Sequence, residues 1–189
     1  MNSYPDSNNP RTLLKELENP QPLRQTVLRM LHLLDTLEER HRLCVLHLDI
    51  CPGSILLTGS GESELLQLAP CPGTAEGRCP CRNGYVAPEA VSSIQSSEFA
   101  TDLYSVAAVF FHCIMGRKLT LPEALQSRPP DGRNSPILAQ APEPVQTMAK
   151  QILRKGLSPL PERRYRSIGA MRSAFRELLS RIESSHIDI

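Results

Sequence analysis

The stretch HLDICPGSILL, residues 47–57, determines how the rest of this sequence is interpreted. It combines an apolar entry, a tight polar turn and an apolar run that is typical of a strand. A second apolar run, ELLQL at 64–68, follows Gly59 and Gly61. Two strand-like runs separated by glycines predict a small β-hairpin.

Helical periodicity surrounds the predicted hairpin. Upstream, the segment 23–43 repeats its apolar residues at spacings of four, three, four and three, as in Leu23, Val27, Met30, Leu34 and Leu37. Downstream, the most apolar segment begins near Thr101 and is expected to end near Gly116. Two further amphipathic segments lie at 145–152 and 168–182. The pattern predicts a mainly α domain with one hairpin.

Composition is that of a soluble globular protein. Of the 189 residues, 40% are hydrophobic and 22% are charged, and the net charge of +1 argues against nucleic acid or an anionic membrane as a partner. The longest apolar run, VAAVFFHCIM at 106–115, would span about half of a bilayer core, and the polar N-terminus lacks a signal-peptide pattern. We expect a cytoplasmic protein with a disordered N-terminus at 1–10, one domain at 11–183 and a tail at 184–189.

Three of the six cysteines cluster in CPGTAEGRCPC, at Cys71, Cys79 and Cys81. A zinc or redox site is one interpretation of this cluster. However, Cys79 and Cys81 form C-x-C and not C-x-x-C, and no second ligand pair follows at zinc spacing. Reduced loop thiols are therefore favoured, and a metal- or redox-sensing loop is kept as an alternative.

Four motifs, in this order, resemble the C-terminal lobe of a protein kinase, and most closely that of bacterial Ser/Thr kinases. HLDICPGSILL is similar to the catalytic loop H-R-D-L-x-x-x-N, and YVAPEA at 85–90 is similar to the A-P-E segment. ATDLYSVAAVFFHCIMGR at 100–117 resembles the central buried helix, and GLSPLPERRYRSIGAM at 156–171 resembles the segment before the last helix. The resemblance covers residues 11–183 and implies a mainly α (α+β) C-lobe with a small hairpin.

The kinase N-terminal lobe is expected to be absent. The 46 residues before His47 contain no glycine, whereas a Gly-rich phosphate loop needs glycines so that the backbone can close over the phosphates. Their single lysine, Lys15, lies in the helical pattern RTLLKELE and not on a strand. The helix predicted at 23–43 would match the first large helix of the C-terminal lobe.

Several residues that bind ATP and Mg²⁺ in the family are replaced here. Asp49 matches the catalytic Asp, but Ser54 replaces the loop Asn, and Gln67 stands where the Mg²⁺-binding Asp of D-F-G is expected. Cys51 occupies a position often held by Lys, and Leu56 lies where the adenine would rest. Because Mg²⁺ favours carboxylate and phosphate oxygens, no cofactor is expected, with ATP and Mg²⁺ as the alternative.

The positions that hold the lobe together are retained. The resemblance implies a buried ion pair between Glu89 and Arg164, a hydrogen bond from the catalytic-loop backbone to Asp102, and a packed His47 beneath the loop. Leu48 replaces the family Arg that pairs with a loop phosphate, so regulation by loop phosphorylation is not expected.

The functional expectation is a catalytically inactive pseudokinase that acts as a protein-binding regulatory module. Its partner would be a protein, such as a kinase or a separate N-terminal lobe, docked on an exposed apolar face formed by Ile55 and Leu56. The alternative is a divergent or truncated Ser/Thr protein kinase with Asp49 as its base. Asp49 is more simply explained as a turn residue that bonds nearby backbone N–H groups.

Overall fold

The computed structural model of the chain describes residues 11–17, 21–58, 65–68, 83–92 and 98–185. These residues form helices and two strands, joined by loops with single 3₁₀ turns. In chain order the elements are α1 (Leu13–Glu16), α2 (Leu23–Arg42), β1 (Ile55–Thr58), β2 (Leu65–Leu68), α3 (Pro88–Ser92), α4 (Phe99–Met115), α5 (Leu121–Leu125), α6 (Glu143–Gly156) and α7 (Ile168–Ser184). The mainly α prediction is confirmed.

Helix α4 forms the centre of the domain, because nearly all of its side chains are buried. Helices α2 and α6 pack against it, and α7 packs against both of them. Phe110 of α4 meets Phe175 of α7 edge to face, with ring centroids 5.1 Å apart. Burial of such apolar side chains in one core is the main stabilising contribution to the fold.

Both ends of α4 have a local cause. At the start, Glu98 is the N-cap residue, and its N–H donates to Thr101 Oγ1 at 3.0 Å. At the end, Gly116 adopts a left-handed conformation with φ 66° and donates its N–H to the His112 carbonyl at 2.9 Å. The helix therefore begins two residues before Thr101 and ends where the sequence predicted.

The predicted hairpin is present, with β1 and β2 antiparallel and Leu56 opposite Gln67. Residues 11–17 cover one edge of it. Thr12 forms a β-bridge with Leu56, and the Leu57 N–H donates to the Arg11 carbonyl at 2.8 Å.

The packing of residues 11–17 against β1 corrects the expectation that Ile55 and Leu56 form an exposed apolar face. Ile55 is fully buried and Leu56 is half-buried. The physical reason is that α1 packs beside β1 and buries Leu13 together with the strand. The pattern RTLLKELE indicated a short helix, but it gave no sign of the strand against which that helix packs.

A buried arginine holds the covering segment in place. Arg29 of α2 forms an ion pair with Glu16 at 2.6 Å and donates to Gln21 Oε1 at 3.0 Å. The Gln21 N–H in turn donates to the Cys113 carbonyl of α4 at 3.0 Å. Through Glu16 and Gln21, the N-terminal part of the described chain is thus attached to both α2 and α4.

The short helix α5 has a capping box that the sequence analysis missed. The Glu123 N–H donates to Thr120 Oγ1 at 3.4 Å, and the Thr120 N–H donates to Glu123 Oε2 at 2.9 Å. Arg117 adds a bidentate pair to Glu123, with 2.7 and 2.9 Å contacts, which lowers the Glu123 pKa to about 2. The signal was available in the sequence as T-L-P-E at 120–123.

Some expectations fall outside the described residues. The N-terminus at 1–10 and the cluster at Cys71, Cys79 and Cys81 are not described, and of the tail at 184–189 only the first two residues are. Among the described residues, no group of three or more His, Cys, Asp or Glu side chains is arranged to hold a metal ion. No helix in this part of the chain is long and apolar enough to cross a membrane.

The contact between α4 and α6 gives a stability prediction at Gly156. A Cβ at this position would lie 2.5 Å from the Ala107 Cβ, so Gly156→Ala must push the two helices apart. We expect a net loss of about 1–2 kcal/mol in the free energy of unfolding, because overpacking outweighs the better helix propensity of Ala.

The matched control is Gly169→Ala in the first turn of α7, where the added Cβ meets only Ser167 Oγ at 3.8 Å. This variant should be neutral or up to about 1 kcal/mol more stable. Urea denaturation of both variants makes the comparison, and equal effects would contradict the close packing of α4 on α6.

Candidate functional site

A single carboxylate, that of Asp102, organises the loop at 47–54. Asp102 is fully buried in the first turn of α4. Its Oδ2 accepts from the His47 N–H at 2.9 Å, and its Oδ1 accepts from the Leu48 N–H at 2.8 Å. The Oδ2 atom also lies 2.9 Å from Nε2 of His41, near the end of α2. One side chain therefore joins α2, α4 and the loop.

The loop backbone is unusual at Leu48, whose φ of 58° is left-handed. For a residue other than glycine this conformation costs about 1 kcal/mol, which the two hydrogen bonds to Asp102 offset. Next to it, His47 Nδ1 accepts from the Asp49 N–H at 3.2 Å, which places the ring proton on Nε2 in the neutral imidazole. Burial lowers the pKa of His47 and keeps it neutral.

The turn after Asp49 is closed by the Ser54 hydroxyl. Ser54 is fully buried, and its Oγ accepts from the Cys51 N–H at 3.0 Å. The same hydroxyl lies 2.8 Å from the Asp49 carbonyl and 2.9 Å from the Cys51 carbonyl, either of which can accept its proton. The Cys51 side chain is also fully buried, and burial raises the pKa of its thiol.

Asp49 and Gln67 complete the set of predicted nucleotide positions. Asp49 is half-buried, and its Oδ1 atom is buried. Gln67 lies on β2, where its backbone is opposite Leu56 of β1. Strand pairing therefore continues through the position that the sequence matched to a metal-binding Asp.

A buried ion pair joins Glu89 of α3 to Arg164. The two terminal guanidinium nitrogens of Arg164, Nη1 and Nη2, donate to the Glu89 carboxylate at 2.7 Å, and Nε donates to the Ser158 carbonyl at 2.7 Å. The guanidinium also lies 4.8 Å above the centroid of the Tyr104 ring. Burial by itself raises the pKa of Glu89, but the hydrogen bonds and charge of Arg164 outweigh it, and the net shift is downward.

The ion pair and the loop meet at the first turn of α4. Thr101 Oγ1 donates to Glu89 Oε1 at 2.8 Å, and the Ala100 carbonyl accepts from Arg164 at 3.2 Å. The next residue is Asp102, which holds the loop. The structure thus brings the predicted structural residues together around three consecutive positions of one helix.

Two polar contacts were missed by the sequence analysis. His41 lies in a helical pattern that does not distinguish it from its charged neighbours, although it contacts Asp102. His112 of α4 is half-buried, and its Nδ1 is hydrogen-bonded to the Tyr85 hydroxyl. Burial, with a smaller effect from the charge of Lys118, lowers the pKa of His112 to about 4.

Sequence comparisons relate this chain to serine/threonine-protein kinases. No protein-family model matches the sequence. The human serine/threonine-protein kinase/endoribonuclease IRE2 is 29% identical over 149 residues, which cover 70% of this chain and 16% of that protein. Of the Mycobacterium tuberculosis serine/threonine-protein kinases, PknK is 33% identical over 118 residues, covering 60% of this chain and 10% of PknK. PknA is 27% identical over 187 residues, covering 86% of this chain and 41% of PknA.

A comparison of structures also relates the chain to a protein kinase domain. The crystal structure of the Mycobacterium tuberculosis PknI kinase domain matches 90% of this chain and 62% of that chain, with a TM-score of 0.67 and 19% sequence identity. The chain is protein kinase-like. It spans less than half of the length of each of the three sequence relatives. The helices and the hairpin of this kinase-like chain are consistent with a kinase C-terminal lobe.

The buried ion pair gives the first prediction for this site. Glu89→Ala leaves the Arg164 guanidinium buried without its carboxylate, so we expect a loss of about 3–5 kcal/mol in the free energy of unfolding. Glu177→Ala is the matched control, because it removes an exposed pair with Arg181 of similar length, 2.8 Å. That control should cost about 0–1 kcal/mol in chemical denaturation, and equal losses would contradict the role of burial.

The His112 pKa gives a pH prediction. Its folded pKa is about 4, below the usual 6.5, so between these values the unfolded chain binds more protons than the folded chain. The stability that neutral His112 contributes is complete above about pH 6.5 and is lost as the pH falls toward 4. After allowance for solvent screening, the loss is about 1–2 kcal/mol.

The measurement is the free energy of unfolding of the unmodified chain and of His112→Gln between pH 7 and 4. The variant should show a flatter pH dependence, with a residual slope from His47, whose pKa is also lowered by burial. Identical slopes would show that His112 does not stay neutral in the folded state.

Proposed function

We propose that this kinase-like chain is a catalytically inactive regulatory module that acts by binding another protein. One observation carries the proposal. The Ser54 hydroxyl, at the position of the second metal ligand, is fully buried, and the backbone of its own turn uses it both as an acceptor and as a donor. Its structural role therefore replaces a metal-binding one.

The residues do not fit ATP and Mg²⁺. Mg²⁺ requires hard oxygen ligands in a nearly octahedral arrangement, and carboxylates usually supply the protein part. At the two metal positions the chain has the buried hydroxyl of Ser54 and the amide residue Gln67. Gln67 in place of the Asp removes a negative charge, and Ser54 in place of the Asn removes an amide oxygen, because its hydroxyl is bonded within its own turn. Both changes weaken the metal-dependent electrostatic stabilisation on which phosphoryl transfer mainly depends.

The third neutral position is Cys51, where a lysine would pair with the transferred phosphate. Its thiol is fully buried and its pKa is raised, so it carries no charge at neutral pH. A neutral buried thiol can neither neutralise a phosphate nor reach one without opening the turn. The buried, neutral Cys51 thiol supports a structural role for the loop at 47–54, in place of a catalytic one.

A second candidate function is a divergent Ser/Thr protein kinase. The presence of Asp49 at the catalytic position favours it, with that carboxylate as the base and ATP and Mg²⁺ as cofactors. An N-terminal lobe, either upstream in a longer product or on a separate chain, would then have to cover the nucleotide. For either function we propose a protein partner, such as a kinase or that separate lobe, and a cytoplasmic location without nucleic acid or membrane binding.

The test is ATP–Mg²⁺ binding to the whole 189-residue chain, by calorimetry and by thermal shift. A ligand at a hundred times its Kd stabilises a fold by about 2.7 kcal/mol, which a thermal shift detects readily. We expect no saturable binding and no transfer of labelled phosphate to a protein substrate.

Two variants sharpen this test. Gln67→Asp restores a carboxylate at the principal metal position and should increase any Mg²⁺-dependent nucleotide binding, whereas Glu177→Asp, on the exposed side of α7, should not. Phosphate transfer by the unmodified chain that is lost in Asp49→Asn would overturn the inactive assignment and establish the kinase.

A further inference from the structure

A groove with a mainly apolar lining lies between α5 and the chain segment at 83–91, which includes the start of α3. Its volume is about 670 Å³. Buried residues form the floor, where Leu119 and Ala124 are 2% and 9% exposed. At the rim, Val91 and Leu121 also line the groove, and they are 64% and 62% exposed. We call this the Leu121 groove, and its exposed apolar rim marks it as an interaction site.

Hydrogen bonds hold both walls of the groove in place. On one wall, the Tyr85 carbonyl accepts from the Ser105 hydroxyl of α4 at 2.8 Å, and the Tyr85 hydroxyl is hydrogen-bonded to His112 of the same helix. On the other wall, the reciprocal capping bonds between Thr120 and Glu123 fix the start of α5. A preformed surface of this kind loses little conformational freedom when it is covered.

The two walls meet closely at Gly84, whose φ of 95° lies in the left-handed region that favours glycine. A Cβ at this position would lie 2.6 Å from the Leu119 carbonyl oxygen and 3.3 Å from the Lys118 Cβ. The Lys118 Cδ would lie 3.4 Å from the same point. The aliphatic stem of Lys118 therefore runs along the wall at Gly84, beside the apolar lining.

Lys118 also gives the groove its charge. Among the described residues that line the groove it is the one charged residue, and its ammonium forms no ion pair with a described side chain. The neighbouring Arg117 is neutralised by its bidentate pair with Glu123. The charge of Lys118 is felt at His112, where it contributes to the lowered pKa of that ring. The groove thus combines an apolar lining with one uncompensated positive charge.

This charge pattern distinguishes between classes of occupant. A second copy docked face to face about a twofold axis would bring two Lys118 ammonium groups together with no acid between them. Nucleic acid binding depends on several cations that contact phosphates, and the described lining has one. A small aliphatic acid would fill the floor but leave Val91 and Leu121 uncovered on the rim, whereas a protein segment covers both.

We infer that the Leu121 groove binds a segment of a partner protein in which a bulky aliphatic side chain lies beside an Asp or Glu. The aliphatic side chain occupies the floor at Leu119 and Ala124, and the carboxylate pairs with the Lys118 ammonium. This inference rests on the proposed function only in that the chain has a protein partner. The loop at 47–54 does not line the groove, so docking and catalysis can be tested separately.

The first test selects peptides from a random dodecapeptide library, displayed on phage, against the full chain. We expect the enriched peptides to share an aliphatic residue next to an Asp or Glu. The same selection against Lys118→Glu should instead enrich Lys or Arg beside the aliphatic residue, because the charge of the groove is reversed. An absence of enrichment, or acidic residues that are enriched equally against Lys118→Glu, would overturn the inference.

The second test measures the affinity of the most enriched peptide by fluorescence polarisation. Lys118→Glu and Leu121→Ser should each raise its Kd about tenfold or more, because they remove the charge pair and part of the apolar contact. Lys150→Glu, on α6 and outside the groove lining, is the matched control for charge and should leave the Kd unchanged. A peptide with Lys in place of its acid should bind Lys118→Glu more tightly than the unmodified chain. Circular dichroism verifies that each variant is folded.

The remaining outcomes separate this inference from its rivals. An equal loss of affinity in Lys150→Glu would overturn it, as would a dimer of the chain that dissociates on Lys118→Glu. Decanoate that binds as tightly as the peptide and displaces it would assign the groove to a small aliphatic acid. Peptide binding by a chain that also transfers phosphate would refute the inactive assignment and leave this inference standing. A chain that neither transfers phosphate nor binds peptide would refute this inference alone.

Discussion

The buried carboxylate of Asp102 is the interaction on which the rest of the domain depends. A charge in the interior is stable only when hydrogen bonds replace its hydration, and here two backbone N–H groups and the His41 ring do so. Satisfying this one group forces the loop at 47–54 to turn through Leu48 in a left-handed conformation. The position of the loop is thus a consequence of where α4 begins.

The same helix turn connects that loop to the Glu89–Arg164 pair. Thr101 and the Ala100 carbonyl contact the pair, while Asp102 holds the loop. Two buried charged groups therefore share one rigid support in the centre of an apolar core. A substitution that displaces Asp102 should therefore also displace the Glu89–Arg164 pair, and the reverse, because the first turn of α4 between them cannot move without breaking its packing.

The polar groups of this site fall into two kinds. Those that hold the backbone are charged and paired, as in Asp102 and the Glu89–Arg164 pair. Those at the positions of phosphate chemistry include the neutral, buried Ser54 and Cys51. A scaffold can keep its shape with this arrangement because Asp102, the Glu89–Arg164 pair and the Ser54 hydroxyl each have hydrogen-bond partners within the domain.

The sequence by itself determined the elements with strong local signals: the long amphipathic helices, the glycine-terminated α4, the hairpin, and the residue types at each motif position. These features depend on periodicity and on conformations that only a few residues adopt. Tertiary structure alone decided that residues 11–17 cover β1 and bury Ile55, that Ser54 closes its turn, and that His41 contacts Asp102. Such contacts join residues distant in the chain or depend on burial, and no short-range pattern encodes which surfaces will meet.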